Sequence, residues 1–127
     1  MRMNSAILTA SEWIPVCQQS DLVAGAGVAV IIKGQPVAIF WLPGQQPECY
    51  ALSHTDPFSG AEVLAHGLLC ESEGIWSVAS PIYKQHFRLD NGVCLEDSQV
   101  SINCWAVRFQ GEQVEIGDFT ALGGLET

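Results

Sequence analysis

The sequence predicts an all-β fold, a sandwich or small barrel of antiparallel strands. Short runs of β-branched and aromatic residues recur along the 127-residue chain, and 12 glycines and 6 prolines separate them. Strands of this length with turn residues between them are typical of sandwiches and small barrels. Helical periodicity is scarce, and the one helical turn that we expect follows Cys17, with Ser20 or Asp21 as its cap.

The runs that predict strands share short length, apolar or aromatic side chains and flanking turn residues; they cover 27–32, 37–42, 49–52, 75–80, 86–89, 93–95, 104–109 and 113–116. Three connections, at 33–36, 90–92 and 110–112, predict hairpins. In the second of these, Asn91-Gly92 supplies the positive φ angles that a tight hairpin turn requires.

The length of the chain corresponds to one domain, and we expect residues 1–127 to form it. Hydrophobic residues make up 48% of the chain and charged residues 15%, so the composition supports a core and argues against disorder. No repeat, low-complexity tract or linker divides the sequence. The tail, residues 118–127, is expected to be mobile.

Charge excludes two classes of partner. Fourteen acidic and five basic residues give a formal charge of −9, which repels nucleic-acid phosphates and anionic membrane surfaces, although a basic protein patch can still bind. No apolar run approaches the roughly 20 residues that span a bilayer, and the first ten residues lack the apolar stretch of a secretory signal, so we expect none. Five scattered cysteines indicate reduced thiols, so a cytoplasmic protein is predicted.

Two strand–loop segments, 50–67 and 76–92, resemble the cluster-binding subdomain of Rieske-type proteins, whose loops read C-x-H-x-G and C-P-x-H. The resemblance spans most of the chain and implies a Rieske-like (ISP domain) fold, with about 50–92 as the smaller, inserted two-loop subdomain. The four positions that carry cluster ligands in the family fall here on Asp56, Phe58, Ser80 and Tyr83. Because a Rieske centre needs two thiolates and two imidazoles, we expect no [2Fe–2S] cluster and no other metal in this chain.

Within that superfamily the chain is similar to the small subunit of bacterial NAD(P)H-dependent assimilatory nitrite reductase. The matching blocks are Asp56-Pro57-Phe58, 78–81, 84–89 and 92–97. The resemblance implies a small, cofactor-free subunit beside a large subunit that holds FAD, sirohaem and a [4Fe–4S] cluster. Nitrite would be reduced to ammonium on that large subunit, and no catalytic residue is expected in this chain.

The two loop tips are the predicted site. If they meet, Asp56 can form a hydrogen bond with Ser80 or Tyr83, which fills the vacated cluster space with protein atoms. Phe58 is the best candidate for an exposed aromatic anchor. The expected contacts with the partner lie along both tips: Asp56, Pro57, Phe58, Ser80, Pro81, Tyr83, Lys84 and Gln85.

Charged side chains near these segments leave two interpretations open. Lys84 and Arg88, two of the five basic residues, either face an acidic partner surface or balance neighbouring acids. A set of acidic residues is either a solvated face or a docking patch; it consists of Glu71, Glu73, Glu96 and Asp97.

The sequence is compatible with three other functions. A zinc site could be assembled from Cys49, His54, His66 and Cys70, but the spacing favours buried thiols and bracing histidines. A Rieske-type ferredoxin that carries electrons is disfavoured by the missing ligands. A stand-alone binding module with this fold would show no affinity for the reductase.

Overall fold

Nine strands and two single turns of 3-10 helix make up the part of the chain that the structure, a computed structural model, describes, residues 12–117. The strands are β1 (Trp13–Gln18), β2 (Gly27–Ile32), β3 (Gln35–Trp41), β4 (Cys49–Ser53), β5 (Leu68–Ser72), β6 (Ile75–Ala79), β7 (His86–Arg88), β8 (Cys104–Gln110) and β9 (Gln113–Gly117). The 3-10 turns cover Gln19–Asp21 and Leu64–His66. None of the helical turns in this range is long and apolar enough to cross a membrane.

The strands form two antiparallel sheets. The larger sheet has six strands in the order β1-β9-β8-β4-β3-β2, and β1 approaches β2, so the sheet nearly closes into a barrel. The smaller sheet has the order β5-β6-β7 and is inserted between β4 and β8. The prediction of an all-β barrel with a smaller inserted subdomain is therefore confirmed.

Strand β3 explains how the two sheets share a core. Val37 and Ile39 point into the cluster that fills the barrel, whereas Ala38 and Phe40 belong to a second cluster on the opposite face. The second cluster takes its other members from the small subdomain and its flanks, including Leu64, Val78, Phe87 and Leu89. Because both faces of β3 are covered, its sequence is a continuous apolar run rather than an alternating one.

Two of the strands, β1 and β5, were not predicted from the sequence. Strand β1 contains Pro15 and a bulge between Pro15 and Cys17, so its pattern is broken. Strand β5 is a sheet edge with much of its surface in solvent, and Leu68 is 75% exposed. The apolar run of β1 therefore contains a proline, and that of β5 ends after three residues, at Glu71.

Two local predictions were wrong. Residues 93–95 form no strand, because Val93 and Cys94 each make a single bridge, to Ser101 and Phe87 respectively. The turn before them is a wider one, in which Arg88 N donates to Val93 O and only Gly92 has a positive φ, of 78°.

The first 3-10 turn has a different cap from the one predicted. Its N-cap residue is Gln18, and Asp21 reaches back from the third position, where its Oδ2 accepts a hydrogen bond from Gln18 N at 2.8 Å. The predicted mobile tail, 118–127, lies outside the described residues.

Candidate functional site

One hydrogen bond joins two loops at the end of the small sheet. The first loop, residues 54–63, follows β4, and the second loop, residues 80–85, connects β6 to β7. Ser80 Oγ donates to Asp56 Oδ2 at 2.5 Å, and both side chains are completely buried. The predicted contact between the tips is therefore confirmed for Ser80, whereas Tyr83 is 60% exposed.

Asp56 also closes the first loop on itself. Its backbone N donates to Ala61 O at 2.8 Å, and its carbonyl oxygen accepts from Gly60 N at 2.7 Å. Its second carboxylate oxygen, Oδ1, accepts from Phe58 N at 2.8 Å. A glycine is required at position 60, where φ is +80°, because this left-handed conformation is costly for other residues.

Ser80 does the same for the second loop. Its N donates to Gln85 O at 2.9 Å, its carbonyl accepts from Lys84 N at 3.1 Å, and its Oγ accepts from Ile82 N at 3.2 Å. Lys84 has a φ of +70°, which costs a lysine about 1 kcal/mol relative to glycine. The loop therefore keeps a strained residue in place through bonds that converge on Ser80.

The four residues that the resemblance places at ligand positions separate into an inner and an outer pair. Asp56 and Ser80, expected at thiolate positions, are buried and bonded to each other. Phe58 and Tyr83, expected at imidazole positions, are 38% and 60% exposed. The ring of Phe58 also packs on the buried ring of Phe87 in β7, with 6.2 Å between centroids. The tip is thus held by one polar and one aromatic contact.

His54 braces the base of the first loop. Its Nδ1 accepts a hydrogen bond from Ala65 N at 3.0 Å, and the residue is 6% exposed. Burial lowers the pKa of His54, and the neighbouring His66 ring, 5.8 Å away between centroids, lowers it further. Because the acceptor nitrogen of His54 is occupied by a backbone N–H, His54 fits the role of a residue that braces the loop better than that of a general base.

The four residues considered for zinc do not assemble into a site. Cys49 belongs to the six-stranded sheet and Cys70 to the small one, while only the two histidine rings meet. Among residues 12–117, no three His, Cys, Asp or Glu side chains form a group that could hold a metal ion. Burial raises the pKa of Cys49 to about 12 and that of Cys104 to about 11, so these thiols stay protonated and unreactive.

The surface of the tips carries a patch of apolar side chains and one cation. This tip patch consists of Phe58, Ile82, Tyr83 and Lys84, of which Ile82 is 43% exposed. Ile82 was not among the predicted contacts, although an apolar residue between proline and tyrosine in a loop is a signal for an exposed contact. Asp56 and Ser80, expected among the partner contacts, are fully buried, so they can only support the patch from inside.

Lys84 differs from the other basic residues of the described segment. Each of those has an acidic partner: Lys33 lies 2.9 Å from Glu12, Arg88 lies 2.7 Å from Asp90, and Arg108 lies 2.7 Å from Glu115. Lys84 has no such partner within residues 12–117. Of the two interpretations left open by the sequence, Arg88 balances a neighbouring acid, and Lys84 is available to a partner.

Comparison with known proteins identifies relatives of the chain. Residues 12–117 match the family model of the Rieske-like [2Fe-2S] domain. The nitrite reductase (NADH) small subunit of Salmonella typhimurium is 40% identical over 106 residues, which cover 84% of this chain and 97% of that protein. The NMR structure of the Escherichia coli protein NirD superposes with a TM-score of 0.74 at 35% identity, over 83% of this chain and 94% of NirD.

A further relative is much longer than this chain. The nitrite reductase [NAD(P)H] large subunit of Klebsiella oxytoca is 29% identical over 119 residues. That alignment covers 94% of this chain but only 12% of the large subunit. A segment similar to almost the whole of this chain is therefore part of that longer polypeptide.

The bond between the loops predicts an energetic coupling. Asp56→Ala removes two acceptor bonds from a buried site, so we expect a loss of about 3 kcal/mol of unfolding free energy; Ser80→Ala should cost about 2 kcal/mol. Because both variants break the same bond, the double variant should lose less than the sum by about 1 kcal/mol. Urea unfolding of the four proteins measures this, with the exposed Ser72→Ala as a neutral control. Strictly additive losses would show that the two side chains do not stabilise each other.

His54 predicts a pH dependence of stability. Its pKa is lowered in the folded state, so folded and unfolded chains both hold it neutral above its ordinary pKa of about 6.5. As the pH falls below 6.5, the unfolded chain takes up a proton first, and stability is lost. His54→Asn keeps an acceptor for Ala65 N but cannot titrate, so its unfolding free energy should fall less between pH 7.5 and 5.5. Parallel curves for the two proteins would contradict the assignment.

Proposed function

Because the chain belongs to the Rieske-like [2Fe-2S] domain family and, within it, to the nitrite reductase (NADH) small subunits, we propose that it is a cofactor-free subunit that acts by docking on the large subunit. As a small subunit of NAD(P)H-dependent nitrite reductase, it serves an oxidoreductase whose catalysis lies on the large subunit. That reaction reduces nitrite to ammonium. We further propose that FAD, sirohaem and a [4Fe–4S] cluster all belong to the large subunit.

The residues at the ligand positions do not fit a Rieske cluster. Such a cluster is held by two thiolates and two imidazoles, whereas these positions present a carboxylate, a hydroxyl, a phenyl ring and a phenol. The carboxylate of Asp56 and the hydroxyl of Ser80 are also committed to each other. This donor chemistry supports a chain without a cluster, and no electron-transfer step is assigned to it.

The Klebsiella oxytoca large subunit supports the choice of partner. A segment similar to this chain is covalently joined there to the remainder of a large subunit. A covalent junction keeps the two parts at high effective concentration, which is the arrangement expected for segments that work in contact. A separate small subunit needs a binding surface instead of a peptide bond.

The tip patch is the surface that we propose for this binding. Phe58, Ile82 and Tyr83 offer apolar and aromatic area, which is enriched at the centres of protein interfaces. Lys84, which has no acidic partner among residues 12–117, adds a cation on a chain whose formal charge is −9. The complementary surface on the large subunit is therefore apolar, with a carboxylate opposite Lys84.

The internal contacts of the tips suit this role. The Asp56–Ser80 hydrogen bond and the packing of Phe58 on Phe87 order the patch before it meets a partner. Pre-ordered side chains lose less conformational entropy on binding than mobile ones. A cytoplasmic location remains a prediction from the sequence.

The proposed role predicts how the purified proteins behave. The isolated chain should be colourless, without the visible absorption of a Rieske centre, and should bind the purified large subunit and raise its nitrite-dependent NAD(P)H oxidation or its thermal stability. Absorption spectra, co-elution in gel filtration and turnover assays test these points. A Rieske spectrum would establish the ferredoxin alternative. A large subunit with unchanged rate and stability in the absence of this chain would leave only a stand-alone module.

The docking surface predicts which substitutions weaken the complex. Tyr83→Ala and Lys84→Glu should each raise the Kd for the large subunit about tenfold or more, because central aromatic and charged contacts contribute most of the binding free energy. Ile31→Ala and Lys33→Glu are matched controls, since Ile31 is 66% exposed and both residues lie by the β2–β3 hairpin. Titration calorimetry measures the four constants. Equal effects of the control and tip substitutions would locate the docking surface elsewhere.

A further inference from the structure

A pocket of about 380 Å³ lies on the outer face of the small sheet. We name it the sheet pocket and define it by Cys70, Glu71, Glu73, Ile75, Ser77, Leu95 and Glu96, which are among its lining residues. None of them belongs to the tip patch. The sequence did not decide whether four acidic residues form a solvated face or a docking patch. Three of them, Glu71, Glu73 and Glu96, line this one concave surface.

A buried hydroxyl lies at the floor of the sheet pocket. Trp76 and Val78 contact the core, so strand alternation points Ser77, between them, to the opposite face of β6. Ser77 is 3% exposed and lines the pocket, and its Oγ makes no hydrogen bond within residues 12–117. Because this oxygen reaches the open space of the pocket without a partner from the described residues, it is available to a polar group from outside.

The rim of the sheet pocket is negative. Glu71 accepts a hydrogen bond from Gly74 N at 2.7 Å, and Glu96 accepts from His86 N at 2.8 Å and contacts His86 Nδ1 at 2.7 Å. Glu73 has no partner in the described part of the chain. The local hydrogen bonds hold two carboxylates in place while leaving acceptor capacity free, since an ionised carboxylate accepts about four hydrogen bonds.

The walls of the sheet pocket are apolar. Ile75 is 38% exposed and Leu95 is 51% exposed, and their side chains flank the hydroxyl and the carboxylates. Arginine and lysine side chains combine an aliphatic stem with a cationic end, and they place the stem against apolar surface while the cation meets acceptors. Ser77 Oγ and the rim carboxylates are acceptors for such a group.

We propose that the sheet pocket receives an arginine or lysine side chain of the large subunit. This inference rests on the proposed function, because the large subunit supplies the basic residue. The second loop joins β6 to β7, so the tip patch and the sheet pocket share the same two strands and one partner surface can cover both. Lys84 then places a cation against the partner at the tip patch, and the sheet pocket accepts a cation of the partner. Two opposite charge contacts fix the orientation of the complex.

Binding of the purified large subunit to variants of the intact chain tests the sheet pocket. Glu73→Lys should raise the Kd at least about tenfold, because it places a cation where the partner's cation binds. Ser77→Ala should raise it about threefold or more through the loss of one acceptor. Glu112→Lys, with the same change of charge in the exposed β8–β9 turn, should alter the Kd less than about twofold. Unchanged melting temperatures would show that each variant is folded.

The outcomes separate the two proposals. If the wild-type chain does not bind the large subunit, the proposed function fails, and the pocket inference fails with it. If the wild-type chain binds, but Glu73→Lys and Ser77→Ala behave like Glu112→Lys, only the pocket inference is overturned. A loss confined to the two pocket variants, together with a smaller salt dependence of the Kd for Glu73→Lys, supports the pocket.

Discussion

The hydrogen bond between Asp56 and Ser80 is the contact on which the candidate site depends. Each partner closes its own loop through backbone bonds, and the side chains then join the loops at 2.5 Å. A buried carboxylate needs donors, and here Ser80 Oγ and Phe58 N supply them. The carboxylate of Asp56 and the hydroxyl of Ser80 therefore satisfy each other, and the exposed side chains of the tips take no part in this bond.

The surface has an uneven distribution of charge that follows from this arrangement. In residues 12–117, ion pairs neutralise Lys33, Arg88 and Arg108 and leave Lys84 at the tip. The carboxylates around Ser77 keep the outer face of the small sheet negative. A partner that covers both regions must present an acidic residue to Lys84 and a basic residue to the sheet pocket. This requirement discriminates against proteins of uniform charge.

Strands with continuous or alternating apolar runs could be predicted from the sequence. An alternating run indicates a strand buried on one face, and a continuous run indicates a strand buried on both faces. Strands β1 and β5 could not be predicted, since a proline bulge interrupts the first and solvent covers much of the second. At the site, a bond from Asp56 to either Ser80 or Tyr83 was predicted from the resemblance to cluster-bearing loops, and the structure shows the one to Ser80. The sheet pocket had no such signal, because Ser77 meets Glu73 and Leu95 only after three strands and a returning loop have assembled.

The separation of Asp56 from Ser80 by 24 residues has a consequence for assembly. Their loops are anchored in different sheets, β4 in the barrel and β6 in the subdomain, so the bond between them forms only when the two sheets come together. Contacts between segments that are distant in the sequence form more slowly than local contacts, because the entropy of loop closure opposes them. If the large subunit recognises the joined tips, as we propose, it binds only chains in which both loops have already come together.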